Sequence, residues 1–158
     1  MVDVTRRFTI VPIPADVLEG VRDGGLPSDR VTAGGGEPLR CCLRDAEPGE
    51  ELLLFGYRPP LPAESPYCEQ GAVFAHAVRC AGPDGDGYPS DWATRPQVLR
   101  AYTSDGRIHP ASRLHDGTDP AAALTQVLAA DGVVEVHSRN IVYGCFMFSA
   151  RLAEATSS

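Results

Sequence analysis

DPAAALTQVLAADGVVEVHSRNIVYGCFMFSARL, residues Asp119–Leu152, changes its hydrophobic period partway along. In the first part Asp119 suits an N-cap, Pro120 the first helical position, and Gly132 a helix stop. Leu124, Val127 and Leu128 fall on one face between them, so the pattern predicts a helix from Pro120 to about Ala130. Beyond Gly132 the period drops to two. Strands are predicted over Val133–Arg139 and Cys145–Leu152, joined by the short turn Asn140–Gly144. A turn this short joins antiparallel neighbours, because a parallel pair needs a long crossover.

Upstream the same signals recur. Arg7–Ile13 reads as a first strand, followed by a short helix that starts near Pro14, carries Val17, Leu18 and Val21, and ends at Gly24-Gly25. The glycine-rich stretch from Gly24 to Pro38 lacks the spacing of a dinucleotide fingerprint and reads as a connector. Leu39–Arg44 alternates as a strand would, and Glu51–Tyr57 is nearly continuous in apolar character, which predicts a hairpin between them. Four prolines between Pro59 and Pro66 exclude a helix or a sheet interior there. Gly71–Cys80 and Gln97–Thr103 are two more strands, the second turning back through Asp105-Gly106 into Arg107–Ile108. The class is therefore α+β: a largely antiparallel sheet of about six or seven strands with two helices. The expected organisation is one globular domain over residues 1–152 and a frayed tail over residues 153–158.

The 158 residues carry a net charge of −7, which argues against nucleic acid or an anionic membrane as partner. All 14 basic residues are arginine. Codon bias accounts for that, yet it excludes a Schiff-base lysine and the phosphate-binding lysines of P-loops and kinases. The cysteines are Cys41, Cys42, Cys68, Cys80 and Cys145, an odd number without C-x-x-C spacing, so neither a disulfide framework nor a zinc knuckle is indicated. A reduced, cytoplasmic protein without signal peptide or membrane span is expected. No cofactor fingerprint occurs, and the oligomeric state is open.

Two segments hold more reactive residues than a core requires: Ser65–Cys80, with Tyr67, Cys68, Glu69, His76 and Cys80, and Glu135–Cys145. In the second, Glu135, His137 and Arg139 share one strand face. Arg139 and Asn140 suit a carboxylate or phosphate, since a guanidinium offers paired donors. The plain alternative is a solvated strand face with Asn140–Gly144 as turn residues. Cys145 suits a nucleophile, with His76 or His137 as base, or else a small apolar filler. His76 is equally readable as a buried histidine bonded to a carbonyl. A metal pair of His76 and Cys80 is unfavourable on a strand, where four residues span roughly 13 Å.

The segments SPYCEQGAVFAHAVRC, RPQVLRAYTSDGRIH and VVEVHSRNIVYGCFMFSARL together resemble the bacterial family known as domain of unknown function 1203 (DUF1203), over most of the chain from about Leu39. The resemblance rests chiefly on Pro66, Tyr67, Glu69, Gly71, Phe74 and His76, and on Arg139, Asn140, Gly144 and Cys145. It implies no activity. Phe148 and SARLAE stand where the family pattern implies a second cysteine and an arginine-rich ending.

The leading expectation is a binding protein or enzyme for a small anionic metabolite, with a pocket formed where the two segments meet. In it His76, Cys145 and Glu69 are the candidate catalytic residues, and Arg139, Asn140, Tyr67 and His137 the candidate substrate-binding residues. The alternatives are a non-catalytic regulatory or interaction module and, below it, a metal-binding protein.

Overall fold

The computed structural model describes residues 8–85 and 87–153. The predicted tail residues 154–158 and the predicted strand residue Arg7 lie outside them. In chain order the elements are β1 (Phe8–Val11), α1 (Ala15–Arg22), β2 (Asp29–Thr32), β3 (Pro38–Leu39), β4 (Arg44–Asp45), β5 (Glu51–Tyr57) and β6 (Gly71–His76). A 3-10 turn at Ser90–Trp92 leads to β7 (Gln97–Tyr102), β8 (Arg113–His115), α2 (Pro120–Ala129), β9 (Glu135–Asn140) and β10 (Phe146–Leu152).

The α+β reading holds, with ten strands divided between two five-stranded sheets. The first, in the order β1-β10-β9-β7-β8, is wholly antiparallel. The second, β2-β5-β6-β3-β4, is antiparallel except where β3 runs parallel to β6. Each sheet has its own helix. On α2, Ala123, Leu124, Val127 and Leu128 pack with Leu99, Ala101, Val136 and Ala150 of the first sheet. Asp119 caps this helix as its sequence predicts, accepting from the Ala122 N–H at 3.1 Å. On α1, Leu18 and Val21 pack with Leu52, Leu53 and Phe55 of the second sheet. Burial of each such leucine or valine contributes about 1.5–3 kcal/mol.

Four local readings are corrected. Leu39–Arg44 is not a strand but two short strands around a tight turn, with Leu39 opposite Arg44 and the Leu43 N–H bonded to the Leu39 carbonyl at 2.8 Å. Leu43 takes a left-handed φ of +57°, which a strand does not contain, and Arg40, Cys41, Cys42 and Leu43 are all at most 4% exposed. The connector before it contains β2, and this strand, not Leu39–Arg44, flanks β5 on one side, with β6 on the other. Gly71–Cys80 ends as a strand at His76, where the chain turns. β8, missed because Leu114 alone interrupts a polar run, pairs with β7.

One irregularity aims side chains at the site. Between β9 and β10, Phe146 faces Arg139 and Phe148 faces Ser138, so Met147 is an extra residue on β10. This bulge sends Phe146 to the face of Arg139 and Phe148 to the opposite, helix-covered face, although two residues apart they would otherwise share one. Phe146 accordingly packs on Tyr57 of β5, centroids 5.6 Å apart, while Phe148 stacks on Trp92.

Candidate functional site

A cleft of approximately 880 Å³ opens where the two sheets meet. From the second sheet it is lined by Gly35–Pro38, Arg40, Leu54, Tyr57, Phe74 and the segment Glu69–Ala72; from the first, by Arg139, Asn140 and Tyr143–Phe146. The two segments singled out in the sequence therefore meet. Glu69 Oε1 lies 2.8 Å from Arg139 Nη2 and 3.3 Å from Arg100 Nη1.

The loop after β9 is built around Arg139 and Asn140. The Asn140 side-chain oxygen accepts from the N–H groups of Val142 and Tyr143, an Asx turn. Arg139 Nη1 donates to the Gly144 carbonyl at 2.9 Å. Gly144 has φ of +72°, a conformation that a side chain disfavours, and it lets the chain re-enter β10 at Cys145. Arg139 Nε is buried without a partner among the described residues. Across the cleft, Gly56 allows Gln70 to lie on β5: a Cβ there would sit 2.4 Å from Gln70 Nε2.

Three arginines line the cleft, and they differ in what neutralises them. Arg139 has Glu69. Arg95 Nη2 lies 2.7 Å from Asp45 Oδ2, and Asp45 also accepts from the indole of the fully buried Trp92 at 2.9 Å. Arg40 is 1% exposed and has no carboxylate partner among the described residues. Its Nε donates to the Phe146 carbonyl at 2.7 Å, joining the sheets, and Nη1 donates to the Pro38 carbonyl. Burial lowers its pKa, and the Cys145 sulfur beside it works in the opposite direction. At the rim, Glu37 is held below the usual carboxylate range by the Gly34 N–H, with Gly35 adding a second bond.

The remaining sequence candidates lie elsewhere. Tyr67 is exposed and its N–H is held by the Ser65 hydroxyl in a turn. Glu135, His137 and Arg139 do share a face, but one that is buried rather than solvated. His137, 1% exposed, bonds Glu135 Oε2 at 2.6 Å between the rings of Tyr102 and Phe146. Burial raises the Glu135 pKa, but His137 and Arg151 outweigh it and hold the carboxyl below its ordinary range. No histidine is among the residues lining the cleft with Cys145.

His76 closes a separate cluster behind Arg40. Its Nδ1 is 3.5 Å from Cys41 Sγ and 3.9 Å from Cys42 Sγ, and its Nε2 is 3.1 Å from Glu50 Oε1. Cys80 joins them, so that one donor atom from each of Cys41, Cys42, His76 and Cys80 lies within 4.8 Å of the others. The strand-based separation of His76 from Cys80 is thus corrected: β6 stops at His76 and the chain folds back. Between the two thiols of the turn the Cys41–Cys42 hydrogen bond raises Cys41 and lowers Cys42, with Arg44 and His76 adding to the second shift. Leu43, next in the chain, has φ of +57°, a left-handed conformation that costs a leucine roughly 1–2 kcal/mol. Arg40, Cys41 and Cys42 were not read as functional from sequence, and Cys80 was counted among the reactive residues but its metal pairing with His76 was read as unfavourable. The available signal was a charged residue and two adjacent cysteines inside an otherwise apolar run.

No curated protein and no solved structure matches the chain. A family model does: the one described as "Protein of unknown function (DUF1203)" matches residues 36–151, a span that takes in the cleft-lining residues from Gly36 to Phe146 and the whole thiol cluster, and the chain belongs to that family.

Proposed function

We propose that the protein binds a small anionic metabolite in the cleft between the sheets, with Arg40 and Arg139 as the groups that receive its carboxylate or phosphate. The observation that carries this reading is Arg40: a guanidinium almost wholly withdrawn from water, in a cleft wall, with no carboxylate partner among the described residues. Buried charges are ordinarily paired, because neutral carbonyls such as those of Pro38 and Phe146 solvate a cation without cancelling its charge. A ligand anion would complete the pair. Arg139 supports the same reading, since its pairing with the exposed Glu69 is one that a ligand carboxylate could take over. The volume suits a metabolite of ordinary size. Binding is favoured over thiol catalysis because Cys145 shares the cleft with arginines and not with a histidine base.

The test is a thermal-shift and calorimetric screen of the full chain against inorganic phosphate, phosphate monoesters and mono- to tricarboxylates at low salt. At least one anion should raise the unfolding midpoint, the rise should vanish in Arg40→Met, and it should persist in part in Arg40→Lys. Failure of every probe, or an equal response in folded Arg40→Met, would remove the proposal.

A further inference from the structure

The cluster behind Arg40 is chemically unlike the cleft and is not explained by it. We propose that Cys41, Cys42, His76 and Cys80 form a binding site for a thiophilic divalent cation, zinc, held by three thiolates and one imidazole.

Four observations converge. The first is distance. In a tetrahedral zinc site with Zn–S near 2.3 Å and Zn–N near 2.0 Å, sulfur-to-nitrogen edges are roughly 3.5 Å. The edges from His76 Nδ1 to the Cys41 and Cys42 sulfurs measure 3.5 and 3.9 Å, and one donor atom from each of the four residues lies within 4.8 Å of the others. The second is the histidine's far side. Its Nε2 meets Glu50 Oε1 at 3.1 Å, and Glu50 is itself fixed by the Glu47 N–H at 2.8 Å. A carboxylate behind the ring sets the tautomer that leaves Nδ1 as a lone-pair donor, an arrangement typical of metal-bound histidines.

The third is a backbone donor aimed at one of the sulfurs. The His76 N–H points at Cys41 Sγ at 3.2 Å. Amide donors to sulfur stabilise thiolates, the form that binds metal. The fourth is the strained turn: Leu43 holds a positive φ directly after the two adjacent cysteines, the conformation in which both sulfurs reach the same point. With four protein ligands the site is closed, which gives zinc a structural role. It would fasten the turn Arg40–Leu43 to the chain leaving β6.

The experiment uses the full chain without an affinity tag, reduced and stripped of metal. Zinc or cobalt is then returned alone and the bound metal measured after desalting. The expected result is about one ion per chain, with cobalt giving tetrahedral visible bands and an ultraviolet thiolate charge-transfer band. Cys42→Ser with Cys80→Ser should abolish loading, whereas Cys68→Ser with Cys145→Ser should leave it unchanged. Circular dichroism of each variant separates lost ligands from a lost fold, and His76→Asn, which keeps the thiols, is read by loss of cobalt-band intensity. Less than a tenth of an equivalent bound by the reduced, folded protein would overturn the proposal. So would cobalt bands without thiolate charge transfer, or full loading retained by the double cluster variant.

Discussion

The two sides of the turn Arg40–Leu43 make opposite chemical offers. On one side Arg40 lines a cleft of hard cationic groups, Arg95 and Arg139 with it; on the other, Cys41 and Cys42 join His76 and Cys80 in a soft, electron-rich cluster. The sides also differ in how they are completed. The cleft arginines are largely tied to internal carboxylates, Asp45 and Glu69, and Arg40 alone of the three is not. The cluster has its backbone and carboxylate supports already in position around four converging donors. A single buried turn therefore separates a candidate anion site from a candidate cation site. Its rigidity matters to both, because moving it shifts Arg40 and the two sulfurs together.

The strongest way to break the comparison is to remove what both sides share. Arg40→Ala should destabilise the fold by about 3 kcal/mol in urea unfolding, since it strands two carbonyls and cuts the Phe146 link between sheets. It should also reduce anion response and metal loading together. Unchanged stability would show that the turn is held without the arginine. A one-sided change comes next. Glu50→Gln should weaken zinc binding by about ten- to a hundred-fold in chelator competition while leaving the metal-free midpoint and any anion response unaltered. An equal loss of anion response would mean that the two sides are not separable. The smallest effect belongs to the other side. Glu69 is exposed, so Glu69→Gln should change stability by less than about 1 kcal/mol, yet it releases Arg139 and should tighten anion binding several-fold without touching metal content. Weaker anion binding in that variant would mark Glu69 as a ligand contact instead of a competitor.

Much of the fold was legible in the sequence where the hydrophobic period was clean and the boundary residues were specific. Asp119-Pro120 opened α2 and the apolar run of β5 gave its bounds, because capping and continuous burial are local signals. The turn Arg40–Leu43 was misread for the opposite reason. Its residues alternate like a strand in LRCCLR, and only the packing around them shows that both alternating sets are buried. The candidate cleft was partly legible too: Glu69, Arg139, Asn140 and Cys145 line it as the two reactive segments suggested. His76, His137 and Tyr67 were drawn to it by residue type, by strand face and by the family resemblance, and lie at the thiol cluster, in the buried Glu135 pair and on an exposed turn.

By itself the sequence determined the two helices, strands such as β5 and β9, the antiparallel bias and the absence of lysine chemistry, since these follow from period, turn residues and composition. Tertiary structure alone decided that the strands divide into two sheets, that Arg40 reaches Phe146 across more than 100 residues of chain, and that Cys80 returns to His76. The physical reason is the same in each case. Periodicity specifies which face of an element is apolar, whereas the partner that covers it, and the polar groups brought together in covering it, depend on contacts between residues far apart in the chain.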